Sequence, residues 1–221
     1  AKAGQVLEVR IKAVELFQDW GYNTIRPLAG ALPDDFKTMR QIHIPLDKKR
    51  MIGKLPWGLD LDLKPFFGIM AVAPPAAWGM VNSPPPRKNG GNMDNKELVA
   101  GSTLYIPVFT AGALFEIGDG HAAQGDGEVD QTAIETSLRG RLQLTVRKNM
   151  NLTWPRAETA TDYISMASDP DLTIAAKGAI QEMVDFLKGA KGLTQHQAYQ
   201  LVSVAGNVAV TQLVDRPNVG V

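Results

Sequence analysis

Residues 118–128 read Gly-Asp-Gly-His-Ala-Ala-Gln-Gly-Asp-Gly-Glu, so Asp119, His121, Gln124, Asp126 and Glu128 fall within ten residues of one another. Gly118, Gly120, Gly125 and Gly127 are threaded between them. Carboxylates beside a neutral imidazole suit Zn²⁺ or another divalent cation. A nearby carboxylate that is not a ligand can act as general base toward a bound water. In an extended chain Asp119 and His121 point one way, as do Gln124, Asp126 and Glu128. Alternating glycines permit positive φ and close approach, at an entropic cost that a purely structural loop explains poorly. The calcium-loop template, with ligands at alternate positions and a Glu at the twelfth, is not met. The plain alternative is a pair of tight turns capped by Asp and Asn side chains. Spacing alone leaves the two readings evenly balanced.

A second polar segment, Arg87-Lys88-Asn89-Gly90-Gly91-Asn92-Met93-Asp94-Asn95, follows three consecutive prolines. It is expected to meet the first in space, with Asp94, Asp119, His121, Asp126 and Glu128 sharing one cleft. His43, in a mixed strand-like piece, and His196, at the second position of a capped helix, read as ordinary positions. Asp130 and Glu135 read as solvated acids at a strand end. Arg87 either pairs with a site carboxylate or stabilises a turn.

These segments need a scaffold, and the chain is long enough to build one. It has 221 residues, 23 Lys+Arg against 23 Asp+Glu, and 44% hydrophobic residues. That length is ample for a buried core. Balanced charge argues against a nucleic-acid or anionic-membrane surface. The absence of Cys removes disulfides, thiolate zinc sites and a cysteine nucleophile, and fits a reducing compartment. The longest apolar stretch, Phe66 to Ala73, is far short of the roughly 20 residues that span a bilayer. No secretory signal opens the chain.

Leu7, Val9, Ile11 and Ala13 alternate with Glu8, Arg10 and Lys12, the period of a half-buried strand. Phe66–Ala73, Ser102–Phe109 and 139–147 also read as strands, and Lys48-Lys49-Arg50 as a solvated hairpin tip. After residue 170 the period changes. Leu172, Ala176, Ala179, Ile180, Met183, Val184 and Leu187 lie three and four apart, on one helical face, with Gly189 and Gly192 as stop signals. Thr194 and Gln197 form a capping-box pattern for a second helix ending at Gly206. Val208–Val214 reads as a closing strand. The expected fold is mainly β (α+β): an antiparallel β-sandwich-like core with two helices near the C-terminus. Residues 1–221 form one unit, mainly β over 1–165, with a helical part and closing strand over 166–221.

The segment from Arg87 to Asp94, the run Ala100-Gly101-Ser102-Thr103-Leu104-Tyr105-Ile106-Pro107-Val108-Phe109, then Gly112-Ala113-Leu114-Phe115 and the run from Gly118 to Val129 together resemble the acetamidase/formamidase family. Val6–Val9, Asp19-Trp20-Gly21, Leu32–Phe36 and Val214-Asp215-Arg216-Pro217-Asn218 resemble further segments of that family. Family members carry a further segment ahead of this opening strand. The resemblance therefore implies a fragment or cleaved product, with that segment as a partner and a donor of site residues. Asp130 stands where many relatives have Cys, which argues against a required Cys nucleophile.

The resemblance implies hydrolysis of short aliphatic amides, formamide or acetamide, to the acid and ammonia. Asp126 and Glu128 are the expected catalytic pair. Asn92 and Gln124 are expected to bind the substrate amide, and Asp94, Asp119 and His121 one divalent ion, with Zn²⁺ favoured over Ca²⁺ and no organic cofactor. The partner is a small amide, not nucleic acid or membrane; a cytoplasmic homo-oligomer is expected. The competing class is a non-catalytic β-sandwich module that binds a metal or small polar ligand.

Overall fold

The computed structural model describes all 221 residues. Its central strand is β1 (Val6–Leu16), which pairs on one side with β10 (Leu138–Arg147) and on the other with β8 (Thr103–Pro107). β11 (Arg156–Glu158) and β12 (Tyr163–Ser165) extend this sheet to the order β10-β1-β8-β11-β12, antiparallel throughout. The period of two predicted for β1 holds through Ile11, and Leu7, Val9 and Ile11 are buried. The register then shifts between Ile11 and Ala13. This irregularity turns Val14 and Leu16 inward in place of Ala13, because one extra residue inverts every later side chain. Glu8 is buried on the opposite face, where the Nε atoms of Arg10 and Arg147 lie 2.6 and 2.9 Å from its oxygens.

The second layer is assembled from two antiparallel pieces. β6 (Phe66–Ala71) lies between β7 (Gly90–Asn92) and β9 (Glu116–His121). β2 (Trp20–Ile25), β3 (Arg40–Asp47), β4 (Ile52–Lys54) and β5 (Asp60–Asp62) form a meander. Residues 132–136 stitch the two together. Ala122 N–H donates to Ile134 O at 2.8 Å and Thr136 N–H to Gly120 O at 2.8 Å, while Tyr22 and Glu135 exchange both backbone bonds at 2.8 and 3.0 Å. Lys48-Lys49-Arg50 is the exposed turn between β3 and β4, as the sequence suggests.

The main core lies between the layers. Leu7, Val9, Ile11, Leu104, Ile106 and Ala157 from the first sheet pack with Phe67, Met70 and Val72 around β6. The fold is thus mainly antiparallel β-sheet with two helices near the C-terminus, as predicted. α1 (Leu172–Lys191) starts at Asp171, whose side chain accepts from Thr173 N and Ile174 N. It runs through Gly189 and stops at Gly192, whose φ of 66° is the left-handed conformation that Gly adopts without penalty. α2 (Gln195–Ala205) carries the predicted capping box and ends at Gly206. No helix is long and apolar enough to cross a membrane.

The expected strand over Val208–Val214 does not form. Only Gln212 makes isolated bridges, to Gly127 and Gly220, and the closing pair is β13 (Ser168–Asp169) with β14 (Val219–Gly220). The side chain of Gln212 accepts from the N–H groups of Val214 and Asp215, which bends this segment into a turn. Alternating apolar residues cannot hold a strand where a buried amide recruits the local backbone.

Leu104 has no exposed surface and sits at the centre of the sandwich. Leu104→Ala should lower the unfolding free energy by about 2–5 kcal/mol in urea denaturation. Val204→Ala, on the exposed face of α2, should change it by less than about 0.5 kcal/mol.

Candidate active site

The end of β9 carries His121 into the interior, where its ring is fully buried and meets Phe66 edge-on at 5.1 Å between centroids. Its Nε2 faces Asp119 Oδ1 at 3.3 Å, Glu135 Oε2 at 3.4 Å and Glu128 Oε1 at 3.9 Å. Asp94 approaches from the turn after β7. The donor atoms of Asp94, His121 and Glu128 lie within 4.8 Å of one another, and so do those of Asp119, His121 and Glu135. Asp215 stands beside Asp94 and accepts from Asn92 Nδ2 at 2.7 Å. Four carboxyl groups thus surround one imidazole, with Asp215 behind Asp94 as a fifth, and no Lys or Arg forms an ion pair with any of them.

The backbone is bent to achieve this. Asp94, Asp119 and Glu128 have φ of 46°, 59° and 43°, in the left-handed region that L-residues rarely occupy. Each such residue costs on the order of 1–3 kcal/mol and persists only where its surroundings hold it. Gly68 of β6 forms the floor of the cluster. A Cβ there would overlap a carboxylate oxygen of Asp94 and another of Asp119, and would press on His121 Cε1. The missing side chain is the space in which the acids converge.

Burial and mutual repulsion raise the carboxyl pKa values. Desolvation, aided by Glu128, lifts Asp94 well above the usual carboxylate range. Desolvation also pushes Glu128 up to about 8, opposed by His121 and reinforced by Asp215, Glu135 and Asp119. Asp215 is raised by burial, although the neighbouring Asp94 carboxyl and the hydrogen bond from Asn92 act the other way. For His121, burial disfavours the charged ring, but Asp119 and Glu135 outweigh it and push the pKa up to about 11. In the absence of another cation the imidazole thus carries the positive charge that the acids demand.

A divalent cation fits the same place. Both oxygens of Asp94, Oδ1 of Asn92 and Nε2 of His121 are buried without a hydrogen-bond partner. Tetrahedral Zn²⁺ with bonds near 2.0–2.1 Å needs ligand atoms about 3.3 Å apart. The separations of 3.3 and 3.4 Å from Nε2 to Asp119 and Glu135 match that requirement.

The two polar segments meet, as expected, but their members divide differently. Asp94, Asp119, His121 and Glu128 converge. Asp126 does not: its side chain is 47% exposed and pairs with Lys96 Nζ at 2.7 Å. The chain is extended only to His121, and positive φ at Gly127 and Glu128 turns Glu128 inward while Asp126 stays at the surface. Asn92 lies in the cluster with Oδ1 free of partners. Gln124 reaches it too, but its amide is fully engaged within the protein, with His121 Nδ1 at 2.9 Å and the carbonyls of Asp94 and Thr211 at 2.8 and 3.1 Å.

Glu135 lies against His121 rather than in solvent, because its bridges to Tyr22 and His121 pin it between β2 and β9. Asp215 was also missing from the expected site; its position inside Val214–Asn218 was the available signal. Asp130 caps a local turn by accepting from Thr132 N–H and also accepts from Asn23 Nδ2 of β2. Arg87 binds Asn82 and the carbonyl of Pro85, away from the acids.

Residues 76–221 match the acetamidase/formamidase family. The whole chain superposes on the crystal structure of an acetamidase from Bacillus halodurans with a TM-score of 0.92 and 32% identity, covering 72% of that protein. An acetamidase of Mycolicibacterium smegmatis is 52% identical over 46 residues, which are 21% of this chain and 11% of that protein. A formamidase of Methylophilus methylotrophus is 49% identical over 45 residues, 20% of this chain and 11% of that protein. The matched stretches are thus a small part of the length of these curated relatives. The family match over the greater part of the sequence, with a common fold across all of it, makes this chain a member of the acetamidase/formamidase family.

Proposed function

We propose that the protein hydrolyses the C–N bond of short aliphatic amides, formamide or acetamide, to carboxylate and ammonia with the help of one divalent cation. The observation that carries this reading is the buried imidazole ringed by four carboxyl groups, with a fifth beside Asp94 and no Lys or Arg paired with any of them. His121 with Asp119 and Glu135 would hold the cation, with Asp94 within reach of the same imidazole. When bound it polarises a carbonyl and lowers the pKa of a water.

The chain's own groups supply the rest. Glu128 lies within 3.9 Å of Nε2 and is not needed for the closer set. It takes a proton from the attacking water and returns it to the leaving nitrogen as the C–N bond breaks. Its raised pKa suits both directions of that transfer near neutral pH. Asn92 Oδ1, without a donor in the protein, accepts from the substrate NH₂. Asp126, expected beside Glu128 in catalysis, has no part in this scheme.

Glu128→Gln keeps the shape and removes the base. In the full native chain it should lower kcat for formamide or acetamide by on the order of 10²–10⁴, read as ammonia release. Asp126→Asn should stay within about twofold of wild type, as expected for a solvated surface ion pair. A raised KM with unchanged kcat in Glu128→Gln would reassign Glu128 to substrate binding.

Dialysis against a chelator should abolish ammonia release, and Zn²⁺ should restore it. Full activity in a protein shown by elemental analysis to be metal-free would move the chemistry to the carboxyl groups alone.

The ion-free protein should lose stability as pH rises. Glu128 is protonated in the fold up to about 8, whereas an unfolded Glu ionises near 4.5, so its contribution declines across that interval. His121 contributes fully below 6.5 and loses its contribution as pH rises toward about 11. Thermal melts from pH 5 to 10 with and without Zn²⁺ should therefore diverge, with the larger stabilisation by Zn²⁺ at the alkaline end.

A further inference from the structure

We propose that Gln124 is the positioning residue for His121, holding the Nδ1–H side of the ring so that Nε2 alone is presented to the carboxylates. The inference deepens the cation-assisted reading above and rests on it for its catalytic consequence. It starts from the partners of one amide. Gln124 Nε2 lies 2.8 Å from the carbonyl of Asp94 and 3.1 Å from that of Thr211. Carbonyl oxygens only accept, so both contacts require the NH₂ group, and the orientation of the amide is determined. Oε1 must then face His121 Nδ1, at 2.9 Å. An amide oxygen has no proton to give, so Nδ1 carries the hydrogen.

The two anchoring carbonyls are themselves held. Asp94 N–H donates to Gly68 O, and Thr211 donates from N to Gly220 O and from Oγ1 to Met93 O at 2.7 Å. Gln124 therefore ties the end of β9 to the turn bearing Asp94 and to the segment that leads to Asp215. Three residues after His121, it folds back under the ring past Ala122 and Ala123, both buried. With both amide protons and the oxygen engaged, it has no donor left for a substrate. Its part in the reaction runs through His121, as with the outer-shell partners of metal-binding histidines.

The test uses protein labelled with ¹⁵N at histidine, free of divalent ion and then loaded with ¹¹³Cd²⁺. His43 and His196 are exposed, so His121 is the one ring whose N–H is shielded from exchange. The expected wild-type result is a protected Nδ1–H signal in both states, with cadmium coupling to Nε2 alone. Gln124→Leu should lose the protected signal and bind Cd²⁺ about 10- to 100-fold more weakly, the usual effect of removing such a partner. Gln124→Glu, which keeps an oxygen opposite Nδ1, should retain the signal.

A protected Nδ1–H in folded Gln124→Leu, or unchanged Cd²⁺ affinity there, would overturn the assignment. Should Gln124→Leu fail to fold, loss of the protected signal in Gln124→Glu would overturn it equally. If wild type neither binds Cd²⁺ nor releases ammonia, the cation-assisted reading fails. The ion-free Nδ1–H signal in the variants then still decides the role of Gln124.

Discussion

A fully buried imidazole faces carboxyl groups that have no Lys or Arg to neutralise them. Concentrated negative charge in a medium of low dielectric is among the most costly arrangements a fold can contain. It persists only with protons, a charged His121 or a bound cation among the acids. The direction of each shifted group in the cluster follows from this: Asp94, Glu128 and Asp215 are held toward their protonated forms, and His121 toward its charged one. A dication among the acids would remove the conflict in one step.

The rest of the architecture confines that charge. β6 and β9 form its floor, and Gly68 is the point at which the floor has to be bare. The strand-like stretch at 132–136 brings Glu135 in between β2 and β9. The turn after β7 brings Asp94, and the turn built by Gln212 brings Asp215. Five separate parts of the chain thus meet in this cluster. The hydrophobic sandwich behind them, centred on residues such as Leu104, Ile106, Val9 and Met70, supplies the stability against which left-handed backbone at Asp94, Asp119 and Glu128 is maintained.

Gln124 gives this arrangement its direction. A carboxylate cluster could meet either nitrogen of an imidazole. The amide fixes the ring by one nitrogen and leaves the other for chemistry. It also joins the two walls of the site, through the carbonyls of Asp94 and Thr211. Gln124 and Asn92 differ by the same count: one amide has every polar atom engaged, and the other keeps a free oxygen.

Much of the scaffold was legible in the residues. Period two in the first part of β1, the strand-like composition of β8, the apolar helical face of α1 and the Thr194–Gln197 box are local signals, and local physics produces what they announce. The presence of Asp119, His121 and Glu128 in one glycine-rich run was equally visible. Which acids face His121 was not, because it depends on contacts far apart in the chain. Asp126 and Glu128 stand two residues apart and end on opposite sides, since positive φ at Gly127 and Glu128 breaks the extended geometry that would have aligned them. Glu135 resembles any strand-end acid until Tyr22 pairs with it, and Gln124 resembles a substrate ligand until Asp94 and Thr211 claim its amide. Sequence determined the residue types and the local periods; only the packing of distant segments decided which charges are buried together, because burial and neighbouring charge belong to the fold and not to any stretch of chain.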